Sequence, residues 1–308
     1  MSAIAIHRVS KRFGDVTAVN DLTLDVPEGS IYGFIGPNGS GKSTTLRMIM
    51  NIFLPDQGKI MVFDKYSHSS VRDDVGYLPE ERGLYRRMTV RRVLRYYGQL
   101  KGKPLADVDA TITRWLDRMQ LAAWADKKVE ALSKGMAQKV QFISAIVATP
   151  RLLILDEPFS GLDPVNADVL RDAVLDLRRS GTTIVFSTHD MSAAERLCDR
   201  IFMIFKGRKV LDGSLDEIQS IHGRDTIRVR TAEGVAGLRL LPQVESLVDH
   251  GNAQDVRLHG DPQAFLVALT ERGPVYQFEI AKPSLHDIFV RIAQPTPEEL
   301  IVPEGVAS

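Results

Sequence analysis

Short apolar runs broken by glycine and proline dominate the first part of the chain. Residues 4–9, 22–26 and 31–35 read as strands, and Pro27-Glu28-Gly29 turns the chain into the third. Run 31–35 is mostly apolar and enters a glycine-rich stretch, as a buried parallel strand should. A helix from Lys42 to about Asn51 ends before Pro55, and strand 59–63 follows Asp56-Gln57-Gly58. From about Thr89 to Ala148 the apolar spacing is helical, with Thr89 capping one helix and Asp107 starting another. Residues 152–155 and 183–187 return to buried strands. Between them Asp163 or Pro164 opens a helix that runs to about Arg179, ahead of Gly181. Residues 201–205 and 209–211 flank Gly207 as a hairpin.

After about His222 the texture changes. Strand 226–230, a short helix, strands 244–248 and 255–258, helix 262–271, strand 275–280 and helix 284–292 follow in turn. This β-α-β-β-α-β order predicts a small α+β domain of the ferredoxin-like kind over 223–294. Residues 295–308 hold three prolines and read as a flexible tail.

Composition narrows the field. Formal net charge is zero, so bulk electrostatics draw the chain to neither nucleic acid nor an anionic membrane. Cys198 is the single cysteine, which excludes an internal disulfide and reads as a buried helix residue in a reducing compartment. No run of 18 apolar residues occurs and the N-terminus lacks a signal-peptide core, so any work at a membrane is expected to go through a partner.

The chemistry starts at Gly36-Pro37-Asn38-Gly39-Ser40-Gly41-Lys42-Ser43, followed by Thr44. This is the G-x-x-x-x-G-K-[ST] pattern in its required place between a strand and a helix. Glycines let the backbone approach closely, amides and the helix dipole face phosphate oxygens, Lys42 neutralises charge and Ser43 offers a hydroxyl to Mg²⁺. Asp156 ends a predicted buried strand, at the sheet edge where open α/β folds bind ligands, and is placed to hold Mg²⁺. Glu157 beside it would polarise an attacking water as general base.

With these residues in place, the chain resembles the ATP-binding subunits of ABC transporters over about 3–222. The family pattern L-S-G-G-Q stands here as Leu132-Ser133-Lys134-Gly135-Met136, the loop after the acidic pair as Ser160-Gly161-Leu162-Asp163, and the switch histidine as His189. The resemblance implies a P-loop NTPase, with a RecA-like core, an antiparallel β subdomain and a helical subdomain at about 84–150. It implies ATP and Mg²⁺ as cofactors. Phe13 would stack on adenine. Ser133, Gly135 and Met136 would complete the nucleotide site of a second ATP-binding subunit, expected to be an identical chain. A separate polytopic membrane subunit would be the other partner, at the cytoplasmic face of the plasma membrane, with no nucleic acid.

Three positions depart from the pattern. Glu80 stands where the family usually has glutamine; it still offers an oxygen to the metal but adds negative charge. Lys134 and Met136 replace glycine and glutamine of the signature. The Tyr77-Leu78-Pro79-Glu80 stretch and the C-terminal domain resemble the type-2 exporters, including sodium and drug efflux ATPases. Arg82, Arg86, Arg87, Arg91, Arg92 and Arg95 follow Glu80, in a region that the resemblance places beneath the membrane subunit. They are candidates to dock that partner's cytoplasmic helix or lipid headgroups, or form a solvated helix face. A soluble ATPase of the same family, acting on ribosomes or DNA, is the alternative. One cassette, no sustained heptads and no basic excess weigh against it. The C-terminal domain is left open as regulatory element, dimer brace or neither.

Overall fold

The computed structural model describes residues 2–66, 74–81, 83–222 and 226–293. Arg82 and the expected tail at 295–308 lie outside the described residues. The chain divides into two compact units between Asp212 and Gly213.

The first unit begins with β1 (Ser2–Phe13), β2 (Val16–Pro27), β3 (Ile31–Ile35), α1 (Lys42–Ile49), β4 (Gln57–Val62), β5 (Lys65–Tyr66) and β6 (Val75–Leu78). Three helices follow: α2 (Val90–Leu100), α3 (Leu105–Arg118) and α4 (Lys134–Ile146). Then come β7 (Leu152–Asp156), α5 (Pro164–Arg179), β8 (Thr183–Thr188), α6 (Met191–Leu197), β9 (Arg200–Phe205) and β10 (Arg208–Gly213). Two sheets form, one ordered β2-β1-β4-β5 and the other β10-β9-β3-β8-β7-β6.

The second sheet positions the chemistry. Strands β3, β7 and β8 are buried at every residue, which explains their mostly apolar sequences. One face packs Tyr32, Phe34, Ile154 and Phe202 against α1 and the antiparallel sheet. The other packs Ile31, Leu153, Leu155 and Phe186 against the helices. Parallel pairing sets Ile35 beside Thr188, Asp156 beside Ser187 and Leu78 beside Leu155. The loops after β3, β6, β7 and β8 therefore leave one edge together.

Cys198 is not inside a helix. It ends α6 with an extended backbone (φ −88°, ψ 138°), because Asp199 N must donate to Ile31 O to start the run into β9. Burial pushes its thiol pKa up.

The second unit opens with α7 (Leu215–His222), upstream of the change of texture expected at about His222. Its bonds explain the placement: Lys282 Nζ lies 2.7 Å from Asp216, Gln219 Nε2 donates to Pro283 O at 3.0 Å, and Arg291 donates to His222 O. Next come β11 (Thr226–Thr231), α8 (Gly234–Leu238), β12 (Val244–Asp249), β13 (Gln254–Leu258), α9 (Pro262–Arg272), β14 (Val275–Ile280) and α10 (Leu285–Ala293). The sheet order β12-β13-β11-β14, antiparallel throughout, is the ferredoxin-like arrangement. Ile227, Val229, Val256, Phe265 and Leu269 form its core.

Candidate active site

The loop after β3 is shaped by its glycines. Gly36 has φ 150° and Gly41 φ 111°. A Cβ at Gly36 would lie 2.2 Å from Ile204 O, and one at Gly41 2.5 Å from Ala18 O, so neither position accepts a side chain. Gly41 caps α1, whose first amides have no intrahelical acceptor and are free for an anion. Lys42 folds back over the loop, with Nζ donating to Gly36 O at 2.7 Å and Pro37 O at 3.1 Å. Burial pushes its pKa down, while the nearby carboxylates of Glu157, Asp156 and Glu80 push it back up. The buried Ser40 hydroxyl has no partner. The loop faces a cleft of about 540 Å³ that Asn38, Gly39, Thr44, Glu80 and Glu157 also line. Amide-rich backbone, a held lysine and an orphaned hydroxyl together fit a polyphosphate.

Acidic groups close the other side. Asp156, 1% exposed, accepts from Ser43 Oγ at 3.4 Å and from Ser187 Oγ. Ser43 and Asp156 are thus already paired as a Mg²⁺ site needs them. Glu157 adopts φ 48°, a left-handed conformation that costs a non-glycine residue on the order of 1 kcal/mol or more. Its amide donates to Ser187 O at 3.1 Å. Its carboxylate accepts from His189 N at 3.0 Å and Thr188 Oγ1 at 3.3 Å, and meets His189 Nδ1 at 2.9 Å. That bond to Glu157 raises the His189 pKa, with burial opposing it. Desolvation raises the Glu80 pKa, and the charges of Asp156 and Glu157 raise it further.

The remaining candidates lie elsewhere in the first unit. Ser133 caps α4, its Oγ accepting from Met136 N at 3.3 Å, and Gly135 is the second residue of that helix. Met136 is half-buried against the core. Asp163 caps α5 and accepts from Asn166 N at 2.9 Å. A Cβ at Gly135 would lie 3.2 Å from that same Asn166 side chain, so the two helix starts are neighbours. Neither Ser133 nor Asp163 lines the cleft. Phe13 does not line it either; its ring sits edge-on to Phe53 at 5.3 Å and is 44% exposed.

Several contributors were not singled out from sequence. Val16, Thr17, Ala18 and Lys206 line the cleft although they are far from the loop in sequence. Gln138 and Gln141 of α4 are buried, and their Nε2 atoms grip the loops: Gln138 bonds Pro158 O at 3.2 Å, and Gln141 bonds Pro79 O at 3.3 Å and Glu81 O at 3.0 Å. Their signal was present as two amides one helical turn apart.

Comparison with known proteins gives the family. Residues 19–160 match the ABC transporter family, and residues 213–293 match the C-terminal domain of DrrA1-3-like ATP-binding proteins. Residues 128–195 also match the family "AAA domain, putative AbiEii toxin, Type IV TA system". The uncharacterized ABC transporter ATP-binding protein YhaQ of Bacillus subtilis is 41% identical, over 93% of this chain and 97% of its own length. Nod factor export ATP-binding protein I of Bradyrhizobium diazoefficiens is 33% identical, over 94% and 96%. A solved ATP-binding subunit of an ABC transporter superposes with TM-score 0.68 at 30% identity, covering 71% of this chain and 93% of that one. The chain therefore belongs to the ATP-binding proteins of ABC transporters and carries a DrrA-like C-terminal domain.

Proposed function

We propose that the chain is the ATP-hydrolysing subunit of an exporter, working as a pair of identical copies at the cytoplasmic face of a membrane and driving a separate polytopic subunit. The observation that carries the enzymatic part is the meeting of Glu157 and His189 beside Asp156, across the cleft from Lys42. ABC ATP-binding domains are ATPases in general, and their family works with membrane subunits. The names of the Nod factor export relatives favour export.

Lys42 and the amides after Gly39 bind and orient the β- and γ-phosphates. Ser43 and Asp156, with Glu80 beside them, would hold Mg²⁺, which when bound neutralises phosphate charge. Glu157 takes the proton of the attacking water. In the present arrangement its carboxylate meets His189 N, Thr188 Oγ1 and His189 Nδ1, contacts that occupy the oxygens an attacking water would need. Activity therefore requires that one of them be released. We assign that release to closure against a second copy, whose Ser133 and Gly135 would reach the γ-phosphate. His189 then orients the water, and Phe13 turns from Phe53 to the purine.

Glu157→Gln tests this reading. With MgATP the variant is expected to elute as a dimer and to hydrolyse at least about a hundredfold more slowly than wild type. Normal turnover would remove Glu157 from its role.

A further inference from the structure

Three of the arginines near the start of α2 have no use inside the fold. Arg91 is tied to Asp126 at 3.2 Å, and Arg95 binds Asp109 through two bonds of 2.6 and 2.8 Å. Arg86, Arg87 and Arg92 are exposed, and among the described residues no carboxylate pairs with them. Arg92 also sits in the first turn of α2, where the helix dipole disfavours a cation and no acidic residue offsets it. A locally unfavourable choice left uncompensated points to a role outside the chain.

The same surface carries exposed aromatics. Tyr85 is 51% and Tyr96 37% exposed, and their rings meet edge to face at 5.5 Å. Tyr96 lies one turn after Arg92 on the helix, and Tyr85 directly precedes Arg86. A groove of about 300 Å³ is lined by Tyr77, Leu84, Tyr97 and Leu100, and the three arginines lie outside its lining. Free guanidiniums interleaved with amphipathic rings, outside that groove, match a headgroup layer: arginines to phosphates, tyrosines at the level of the glycerol.

Resting on the transporter reading above, we infer that Arg86, Arg87 and Arg92, with Tyr85 and Tyr96, form a contact surface for anionic phospholipid headgroups. The surface holds this face of the subunit against the bilayer independently of nucleotide. The chain's zero net charge makes the attraction local to this patch.

The test is flotation of the full-length protein with phosphatidylcholine vesicles, with and without phosphatidylglycerol. Wild type should float only with the anionic vesicles. It should be released when salt rises from about 0.1 M to about 1 M, as the screening length falls from about 10 to about 3 Å. The triple variant Arg86→Glu, Arg87→Glu, Arg92→Glu should lose at least about a hundredfold in partition, with folding and basal ATP turnover unchanged. Replacing both Tyr85 and Tyr96 by alanine should weaken binding less. Equal flotation of wild type and triple variant, or equal wild-type binding to both vesicle types, overturns the inference. So does a triple variant that floats normally but no longer co-purifies with the membrane subunit, or no longer binds DNA, since the patch would then serve protein or nucleic acid. Because the Glu157→Gln dimer is read separately, loss of this surface leaves the ATPase reading standing.

Discussion

Glu157 occupies a left-handed backbone conformation and is held there by Ser187, Thr188 and His189. Its pairing with His189 is measurable. The His189 midpoint should lie above the ordinary histidine value of about 6.5, and Glu157→Gln should lower it, as read by NMR titration. A histidine whose folded midpoint is raised stabilises the fold below its unfolded value, and that contribution is lost as pH rises through the folded midpoint. Wild type should therefore lose a little stability between those two values, while Glu157→Gln should lose less. A midpoint unmoved by the substitution would break the link. Gly36→Ala forces a Cβ to within 2.2 Å of Ile204 O, and is expected to abolish the stabilisation that MgATP confers on thermal unfolding. The phosphate loop and acidic pair were legible as residues because each chemical role demands particular side chains at fixed spacing. The tie between Glu157 and His189 was not, since 32 positions separate them and only the register of β7 and β8 joins them.

Several strands were read with close bounds: β3 and β14 match, and β7 and β8 are each longer by one residue. What escaped were short pieces whose stability comes from packing. β6 has four residues and gains its place by pairing with β7, and α6 is a seven-residue helix. The cap of α6, Asp190 accepting from Ala193 N, was a readable signal. Ser133 caps α4, and in the function proposed above it is also the residue offered to a second copy. Ser133→Ala should cost about 1 kcal/mol by urea unfolding. Ser133→Asn should keep the cap and most of that stability yet still depress ATP turnover. If Asn restored both, the residue would be structural alone.

At the scale of the whole molecule, the phosphate cleft is built within one unit. Every residue lining the phosphate cleft falls in the first unit. Phe265→Ala, which empties the centre of the second core, should destabilise that unit by about 3–5 kcal/mol and leave ATP affinity unchanged. A matching drop in affinity would show that the units depend on each other. The β-α-β-β-α-β order told the C-terminal fold from sequence, whereas the position of α7 rested on tertiary bonds to Pro283 and Lys282 that no local pattern announces.

Helix α4 has a mechanical meaning. Its 13 residues make a rod of roughly 20 Å that begins at the Ser133 cap and runs beneath both loops flanking the metal side of the cleft. Gln138 grips the residue after Glu157, and Gln141 grips the residues on either side of Glu80. The rod cannot slide or tilt without dragging both loops or breaking three amide bonds, while Gln141 Oε1 stays buried and unbonded. On the function proposed above, pressure on the Ser133 end would be delivered as displacement of the loops after β6 and β7, like a push-rod between two valves.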